Sequence, residues 1–161
     1  MESDNQKNII RAPIVAIDLG EKRVGIAVSD ALSISITRLD VITRTSWKQL
    51  LRDVANLIQR FDAQTVVIGL PLRLNGSCGD SALEVQRVAE KFARSLNLPV
   101  YLQDERLSSV EAEQNLRLEG HKRAQVSALV DSEAAAVILR DFLVDDQKRI
   151  VLPALKQTSK D

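Results

Sequence analysis

The order of strand-like and helix-like segments constrains the fold of this chain more than any other feature of its sequence. Apolar, β-branched segments at 14–17 and 24–28 flank a tight turn, and a third extended segment covers 36–43, which predicts an antiparallel three-stranded meander. Helical and extended segments then alternate, and Thr65 to Leu70 is a nearly continuous apolar strand of the kind that is covered on both faces. The sequence therefore predicts an α/β fold with three α/β/α layers around a mixed five-stranded sheet.

Polar residues with capping-box spacing mark the starts of three helices. The first helix should end at about Arg60 and the third at Gly120, and a fourth should run from about Gln125 to Leu143. The three capping boxes pair Ser46 with Gln49, Ser81 with Glu84, and Ser108 with Glu111.

Length and composition favour one domain in a reducing compartment. With 161 residues, 45% of them hydrophobic, the chain can build one sizeable core. We expect a domain over 13–145, a flexible N-terminal extension over 1–12 and a C-terminal tail over 146–161. The first residues, MESDNQKNIIRAP, lack the uninterrupted apolar stretch of a secretory signal, and no apolar run approaches the ~18 residues that span a bilayer. Cys78 is the only cysteine. These features predict a cytoplasmic protein with no membrane partner.

Three acidic residues stand at positions that suggest chemistry. Asp18 and Glu105 follow predicted strands, and open α/β sheets bind ligands beyond the carboxyl ends of their strands. Asp131 lies on the apolar stripe of the last helix, which should face the sheet. Burial of an unpaired charge is costly, so a cation should compensate Asp131. Two explanations remain open at this point: an ion pair with an arginine such as Arg106, or a divalent metal shared with Asp18 and Glu105.

The residue types favour hard cations over other catalytic groups. Mg²⁺ and Mn²⁺ prefer carboxylate oxygens, and two such ions ~4 Å apart can activate water and stabilise the leaving oxygen of a phosphodiester. The one histidine, His121, is expected in a surface loop, which argues against a zinc hydrolase or a Ser/His/Asp triad. There is no GxxxxGK[ST] loop for a nucleoside triphosphate.

The charge distribution gives a mixed signal about nucleic acid. Lys+Arg and Asp+Glu both number 22, so the formal net charge is +0, without the basic excess of a dedicated nucleic-acid binder. Basic residues nevertheless follow Asp18 and precede Asp131 in the sequence. The residues expected to contact phosphates are Lys22, Arg23, Arg106, Lys122 and Arg123.

Four segments in order resemble the successive motifs of the YqgF/RuvX family. They are 18–30 (DLGEKRVGIAVSD), 67–72 (VIGLPL), 104–107 (DERL) and 130–139 (VDSEAAAVIL). The resemblance spans about Ile14 to Leu143 and implies an RNase H-like fold related to Holliday-junction resolvases. It departs from the family at Ser108 and Ser109, where threonines are usual, and in a less basic segment before Asp131.

The resemblance implies a hydrolase that cuts phosphodiester bonds with Mg²⁺ or Mn²⁺, with two ions expected. Its catalytic and metal-binding residues would be Asp18, which would bridge both ions, together with Glu105 and Asp131. Members of the family are described as nucleases that mature the 5′ end of pre-16S rRNA and as Holliday junction resolvases. The expected partners are therefore pre-rRNA, branched DNA or ribosomal particles, with the protein acting as a monomer or homodimer.

Two rival functions are consistent with the same sequence. One is a non-catalytic module that binds nucleic acid or the ribosome and only keeps the fold. The other is an ATPase of the actin and Hsp70 type, because Asp-x-Gly followed by a second strand resembles the phosphate loop of those proteins. The ATPase alternative is disfavoured because such folds need two lobes, and 161 residues hold one.

Overall fold

The structure is a computed structural model, which describes residues 9–105, 114–120, 123–144 and 149–151, and the side chains of these residues except those of 123–128 and 149–151. Three long helices are present in this part of the chain: α1 (Trp47–Phe61), α2 (Asp80–Ser95) and α3 (Arg123–Val144). The strands are β1 (Ile14–Leu19), β2 (Arg23–Ser29), β3 (Ile36–Arg38), β4 (Ile42–Thr43), β5 (Thr65–Leu70), β6 (Val100–Asp104) and β7 (Arg149–Val151).

The strands form one mixed sheet in the order β3-β2-β1-β5-β6-β7, with β4 also paired to β2. Strand β1 is antiparallel to β2 and parallel to β5, and β5 is parallel to β6. The central strands β1 and β5 therefore end at the same edge of the sheet as β6. This arrangement confirms the predicted mixed α/β sheet and brings the residues that follow these strands to one edge.

Helices cover both faces of the sheet, because its central strands are apolar on both sides. Strand β5 is buried along its whole length, as its continuous apolar sequence predicts. One core cluster joins the sheet to α1 and α2 and includes Leu50, Val54 and Phe92. A second cluster joins the opposite face to α3 through Ala135, Ile138 and Phe142. The fold therefore has the predicted three layers, and the stripe of α3 that was expected to face the sheet does so.

The sheet has seven strands in the described residues rather than the five expected. The extended segment 36–43 divides into β3 and β4, because its register against β2 shifts by one residue between the Ala27–Arg38 and Val24–Ile42 pairs. At the shift, the Leu39 N–H still donates to the Ile26 carbonyl of β2 at 2.9 Å, and the Leu39 carbonyl accepts a hydrogen bond of 2.8 Å from the Ser132 hydroxyl of α3. Residues Arg149–Val151, assigned from sequence to the tail, pair with β6 as the last strand at this side of the sheet. Local sequence pattern could not predict either change, because both depend on distant partners.

Helix caps agree with the sequence in part. The Gln49 N–H donates to Ser46 Oγ at 3.1 Å, as the capping box requires, but the Gln49 side chain donates to Asp53 rather than back to Ser46. The expectation that Ser81 caps the second helix is wrong: α2 begins one residue earlier, after Gly79, which makes no side-chain cap. The capping box at Ser108 and Glu111 lies outside the described residues.

The segment before β1 contacts the core, and the described helices do not meet the requirements of a membrane span. Ile10 and Ala12, in the segment expected to be an extension, pack against the second core cluster. In the described residues, no helix combines the length and apolar character needed to cross a bilayer.

Candidate active site

A row of four residues crosses the sheet on the face that α3 covers. Asp18 of β1 is the cross-strand partner of Gly25 on β2, and Gly69 of β5 is the partner of Gln103 on β6. The β1–β5 register pairs Ile17 with Ile68, and one further step places Asp18 beside Gly69. From β2 to β6, the neighbouring residues on this face are thus Gly25, Asp18, Gly69 and Gln103, so that Asp18 lies between two glycines.

Gly25 allows α3 to approach the sheet closely enough to bring Asp131 to Asp18. A Cβ atom at position 25 would lie 1.9 Å from the backbone oxygen of Asp131 and 3.1 Å from the backbone nitrogen of Ser132. These neighbours are helix backbone and cannot move aside as a flexible side chain would. A glycine in the strand is therefore required for this contact.

The two aspartates that meet here share a poorly compensated negative charge. Burial and the nearby charge of Asp131 together raise the pKa of Asp18 from 3.8 to about 6. Desolvation is the larger of the two causes. Asp18 is thus held where its ionised form is unfavourable, as expected of a carboxylate placed to bind a cation.

Among the described residues, Asp131 forms an ion pair with Arg23 at the start of β2. Arg23 Nε lies 3.2 Å from Asp131 Oδ2, and the guanidinium side chain is 57% exposed. The two groups are not aligned for a hydrogen bond, so the buried Oδ2 atom of Asp131 has no hydrogen-bond partner among the described residues. Asp131 therefore forms a weak ion pair with an arginine, as one of the two explanations predicted, and the arginine is Arg23. Arg106 lies outside the described residues.

Glu105 reaches the same face from the end of β6. Its backbone N–H donates to the Leu70 carbonyl at 3.1 Å, which continues the β5–β6 pairing by one residue. A Cβ at Gly69 would lie 2.4 Å from Glu105 Cδ and 2.7 Å from its Oε1. The Glu105 carboxylate thus occupies the space that a side chain at Gly69 would fill, beside Asp18.

The three predicted acids therefore lie on one face, but they do not form a complete metal-ligand set. No set of three or more His, Cys, Asp or Glu side chains in the described residues is arranged to hold a metal ion. The raised pKa of Asp18 and the unpartnered buried oxygen of Asp131 fit a hard divalent cation bound between the two residues. Glu105 stands next to this pair without closing a three-carboxylate ligand set.

The predicted phosphate-binding residues are only partly visible. Lys22 and Arg23 occupy the exposed turn and strand start next to Asp18. The turn is held by Arg44, whose guanidinium donates to the Gly20 carbonyl at 3.0 Å and whose backbone N–H donates to the Lys22 carbonyl at 2.8 Å. Arg106 and Lys122 lie outside the described residues, as does the side chain of Arg123.

Sequence reasoning missed Gln103, which is fully buried and whose side-chain oxygen and nitrogen both lack hydrogen-bond partners in the described part of the chain. An unpartnered buried amide costs about 1–3 kcal/mol, so such a group calls for an explanation. Strand alternation could have found it, because Tyr101, Gln103 and Glu105 share one face. The glycines opposite Asp18 carried a similar signal, since isolated glycines in strands mark close approaches.

A second missed group is an ion-pair cluster on α3, centred on the buried Glu133. Its carboxylate forms ion pairs with two arginines, through Oε2 with Arg38 Nη1 at 2.9 Å and through Oε1 with Arg140 Nη1 at 3.0 Å. The Asn115 amide also donates to it at 3.3 Å. The cluster joins β3 and residues 114–118, which are helical, to α3.

Comparison with known proteins identifies the family of the chain. Residues 12–145 match the family model described as "RuvX: Holliday junction resolvase". The chain belongs to the RuvX family. This confirms the predicted resemblance and the predicted class of enzyme, a nuclease that hydrolyses phosphodiester bonds.

Relatives in the RuvX family are similar over most of their length. A protein of Chloroflexus aurantiacus is 41% identical over 130 residues, which cover 81% of this chain and 85% of the relative. A Picosynechococcus protein is 40% identical, with 81% and 92% covered, and a Synechococcus protein is 38% identical, with 92% and 94% covered. All three carry the name "Putative pre-16S rRNA nuclease".

Solved structures confirm the RNase H-like fold of this RuvX family member. Thermus thermophilus RuvC bound to a Holliday junction aligns with a TM-score of 0.53 at 17% identity, covering 86% of this chain and 98% of RuvC. The fowlpox virus Holliday junction resolvase aligns with a TM-score of 0.51 at 15% identity, covering 82% and 98%. At these identities the likeness concerns the fold.

Proposed function

We propose that the protein is a cytoplasmic, divalent-metal-dependent nuclease that cleaves the 5′ leader of pre-16S rRNA. The observation that carries the proposal is the pairing of Asp18 with Asp131 on the covered face of the sheet, where the pKa of Asp18 rises to about 6. The names of the relatives in the RuvX family support rRNA as the substrate.

The proposed metal ligands are Asp18, Asp131 and Glu105. Asp18 and Asp131 come from β1 and α3 and are held together by the close contact at Gly25. Glu105 lies over Gly69, next to Asp18, and would supply a third carboxylate. Bound Mg²⁺ or Mn²⁺, with two ions proposed, would activate water and stabilise the leaving oxygen of the phosphodiester.

The chain itself prepares the site for cations and phosphates. With a pKa of about 6, the Asp18 carboxyl is mostly ionised at neutral pH, so cation binding requires little proton release. Arg23 moderates the charge of Asp131 while its exposed guanidinium remains accessible to a phosphate. Lys22, Arg106, Lys122 and Arg123 are the other proposed phosphate contacts, which would make binding weaken with salt.

Branched DNA is the second candidate substrate, and a specific observation favours it. The family model is described as a Holliday junction resolvase, and a junction-bound RuvC shares the fold. Symmetric cutting of a junction requires two active sites, so this alternative predicts a homodimer. Trimming of an RNA leader has no such requirement and is compatible with a monomer.

A side-by-side cleavage assay distinguishes these functions. A labelled pre-16S leader and a four-way DNA junction are incubated with wild-type protein, Asp18→Asn and the control Asp40→Asn, in Mn²⁺, Mg²⁺ or chelator. Asp40 is a suitable control because it is an exposed aspartate in the β3–β4 connection. We expect metal-dependent cleavage of the RNA that Asp18→Asn abolishes and Asp40→Asn retains.

The other outcomes of this assay are equally informative. Preferential cutting of the junction, together with a dimer in solution, would replace rRNA by branched DNA as the substrate. Binding of either nucleic acid without cleavage in any metal would contradict the nuclease proposal and favour a non-catalytic binding module.

A further inference from the structure

We propose that Gln103 is a positioning residue for Glu105. When a divalent cation binds at Asp18 and Asp131, the Gln103 side-chain amide would donate a hydrogen bond to the Glu105 carboxylate and hold it towards the cation. The inference rests on the proposed metal-dependent function and adds to it a residue outside the acidic set.

The first support is the burial of Gln103. The residue has no solvent exposure, and neither its side-chain oxygen nor its nitrogen has a hydrogen-bond partner among the residues described. It faces α3, as does Tyr101 two residues earlier, which packs on Phe142. An apolar side chain would suit this position better if its only role were to fill the core.

The second support is the place of Gln103 in the row across the sheet. Its cross-strand neighbour is Gly69, which has no side chain, and Asp18 lies beside Gly69 on the far side. Neighbouring strands are ~4.8 Å apart, so the backbones at Asp18 and Gln103 flank a gap of about 10 Å. The Glu105 carboxylate lies over Gly69, and so occupies this gap.

The third support is chemical complementarity. A carboxylate that binds a cation through one oxygen still offers lone pairs to a hydrogen-bond donor. Gln103 carries a neutral NH₂ donor, which can orient a carboxylate without competing with the cation for its charge. Donors of this kind commonly hold metal-binding carboxylates, and their loss costs about 10–100-fold in metal affinity.

Calorimetric titration of the purified full chain with Mn²⁺ tests the inference. The variant Gln103→Met keeps the length of the side chain and removes its hydrogen-bonding atoms. We expect its Kd for Mn²⁺ to rise about 10–100-fold. The unfolding midpoint of the metal-free variant should stay constant or rise, because the unpartnered amide is gone. Gln59→Met, at an exposed position of α1, is the matched control and should bind Mn²⁺ as wild type does.

A double variant tests whether Gln103 acts through Glu105. If it does, adding Gln103→Met to Glu105→Ala should not weaken Mn²⁺ binding further, because the hydrogen-bond acceptor has already been removed. Equal fold-losses in both backgrounds would contradict the inference. An unchanged Kd in Gln103→Met would also contradict it.

The design separates this inference from the proposed function. If wild-type protein cleaves RNA and binds Mn²⁺ while Gln103→Met behaves identically, only the role of Gln103 fails. If wild-type protein binds no Mn²⁺, both proposals fail. Gln103→Leu serves as a second variant, and failure of both variants to fold would show a structural role instead.

Discussion

Replacement of Asp18 by asparagine should stabilise the protein in the absence of metal and abolish its metal-dependent cleavage. A rise in the pKa of Asp18 from 3.8 to about 6 means that the folded state disfavours the ionised carboxylate. The shift corresponds to about 3 kcal/mol, since each pKa unit is worth about 1.4 kcal/mol. Asparagine has nearly the same shape and no charge, so it removes this cost.

The increase in the free energy of unfolding caused by Asp18→Asn should depend on pH, because protonation of Asp18 is linked to folding. Because the folded-state pKa lies above the unfolded value, the contribution of Asp18 to stability is fully present below pH 3.8 and is lost as pH rises through about 6. The advantage of Asp18→Asn should therefore be absent near pH 3.5, grow between pH 4 and 6, and level off above pH 7. The upper limit of about 3 kcal/mol corresponds to a rise of about 6–12 °C in Tm for a domain of this size.

Urea denaturation in chelator measures the effect. The free energy of unfolding of wild type, Asp18→Asn and the exposed control Asp40→Asn is determined from pH 3.5 to 8, and Asp40→Asn should show no comparable gain. Saturating Mn²⁺ should reverse the order, because ligand binding stabilises only the proteins that bind it. A gain of the same size at pH 3.5 and pH 7.5, or no gain at either, would refute the assignment of a buried, destabilised carboxylate to Asp18.

Three further substitutions test other contacts of the site. Gly25→Ala should destabilise the protein by about 1–3 kcal/mol in urea and lower cleavage, because its Cβ would overlap the α3 backbone at Asp131; wild-type stability would contradict the close approach. Glu133→Ala should cost about 1.5–3 kcal/mol by the same assay, because it removes a buried carboxylate that is hydrogen-bonded to both Arg38 and Arg140, while Arg38 keeps Glu119 as a partner; a loss under 1 kcal/mol would show that these pairs are screened. Arg23→Gln should weaken nucleic-acid binding and reduce the slope of log Kd against log salt by about 1; an unchanged slope would remove Arg23 from the phosphate contacts.

The sequence predicted the elements of the fold well, because they depend on local pattern. The apolar run of β5, the N-cap of α1 at Ser46 and the stripe of α3 all occur in the structure as predicted. The division of the third extended segment was not predictable, because it depends on a one-residue shift in its pairing with β2. The pairing of β7 was missed for a similar reason, since its partner β6 is distant in the chain.

The sequence by itself determined which residues could form a site, because Asp18 and Glu105 follow strands and Asp131 lies on an inward helical stripe. Tertiary structure decided how these residues meet. The contact at Gly25 brings Asp131 to Asp18, and their shared burial raises the pKa of Asp18. Periodicity specifies the face on which a side chain lies, whereas desolvation and Coulomb energy depend on distances between segments that only the packed fold brings together.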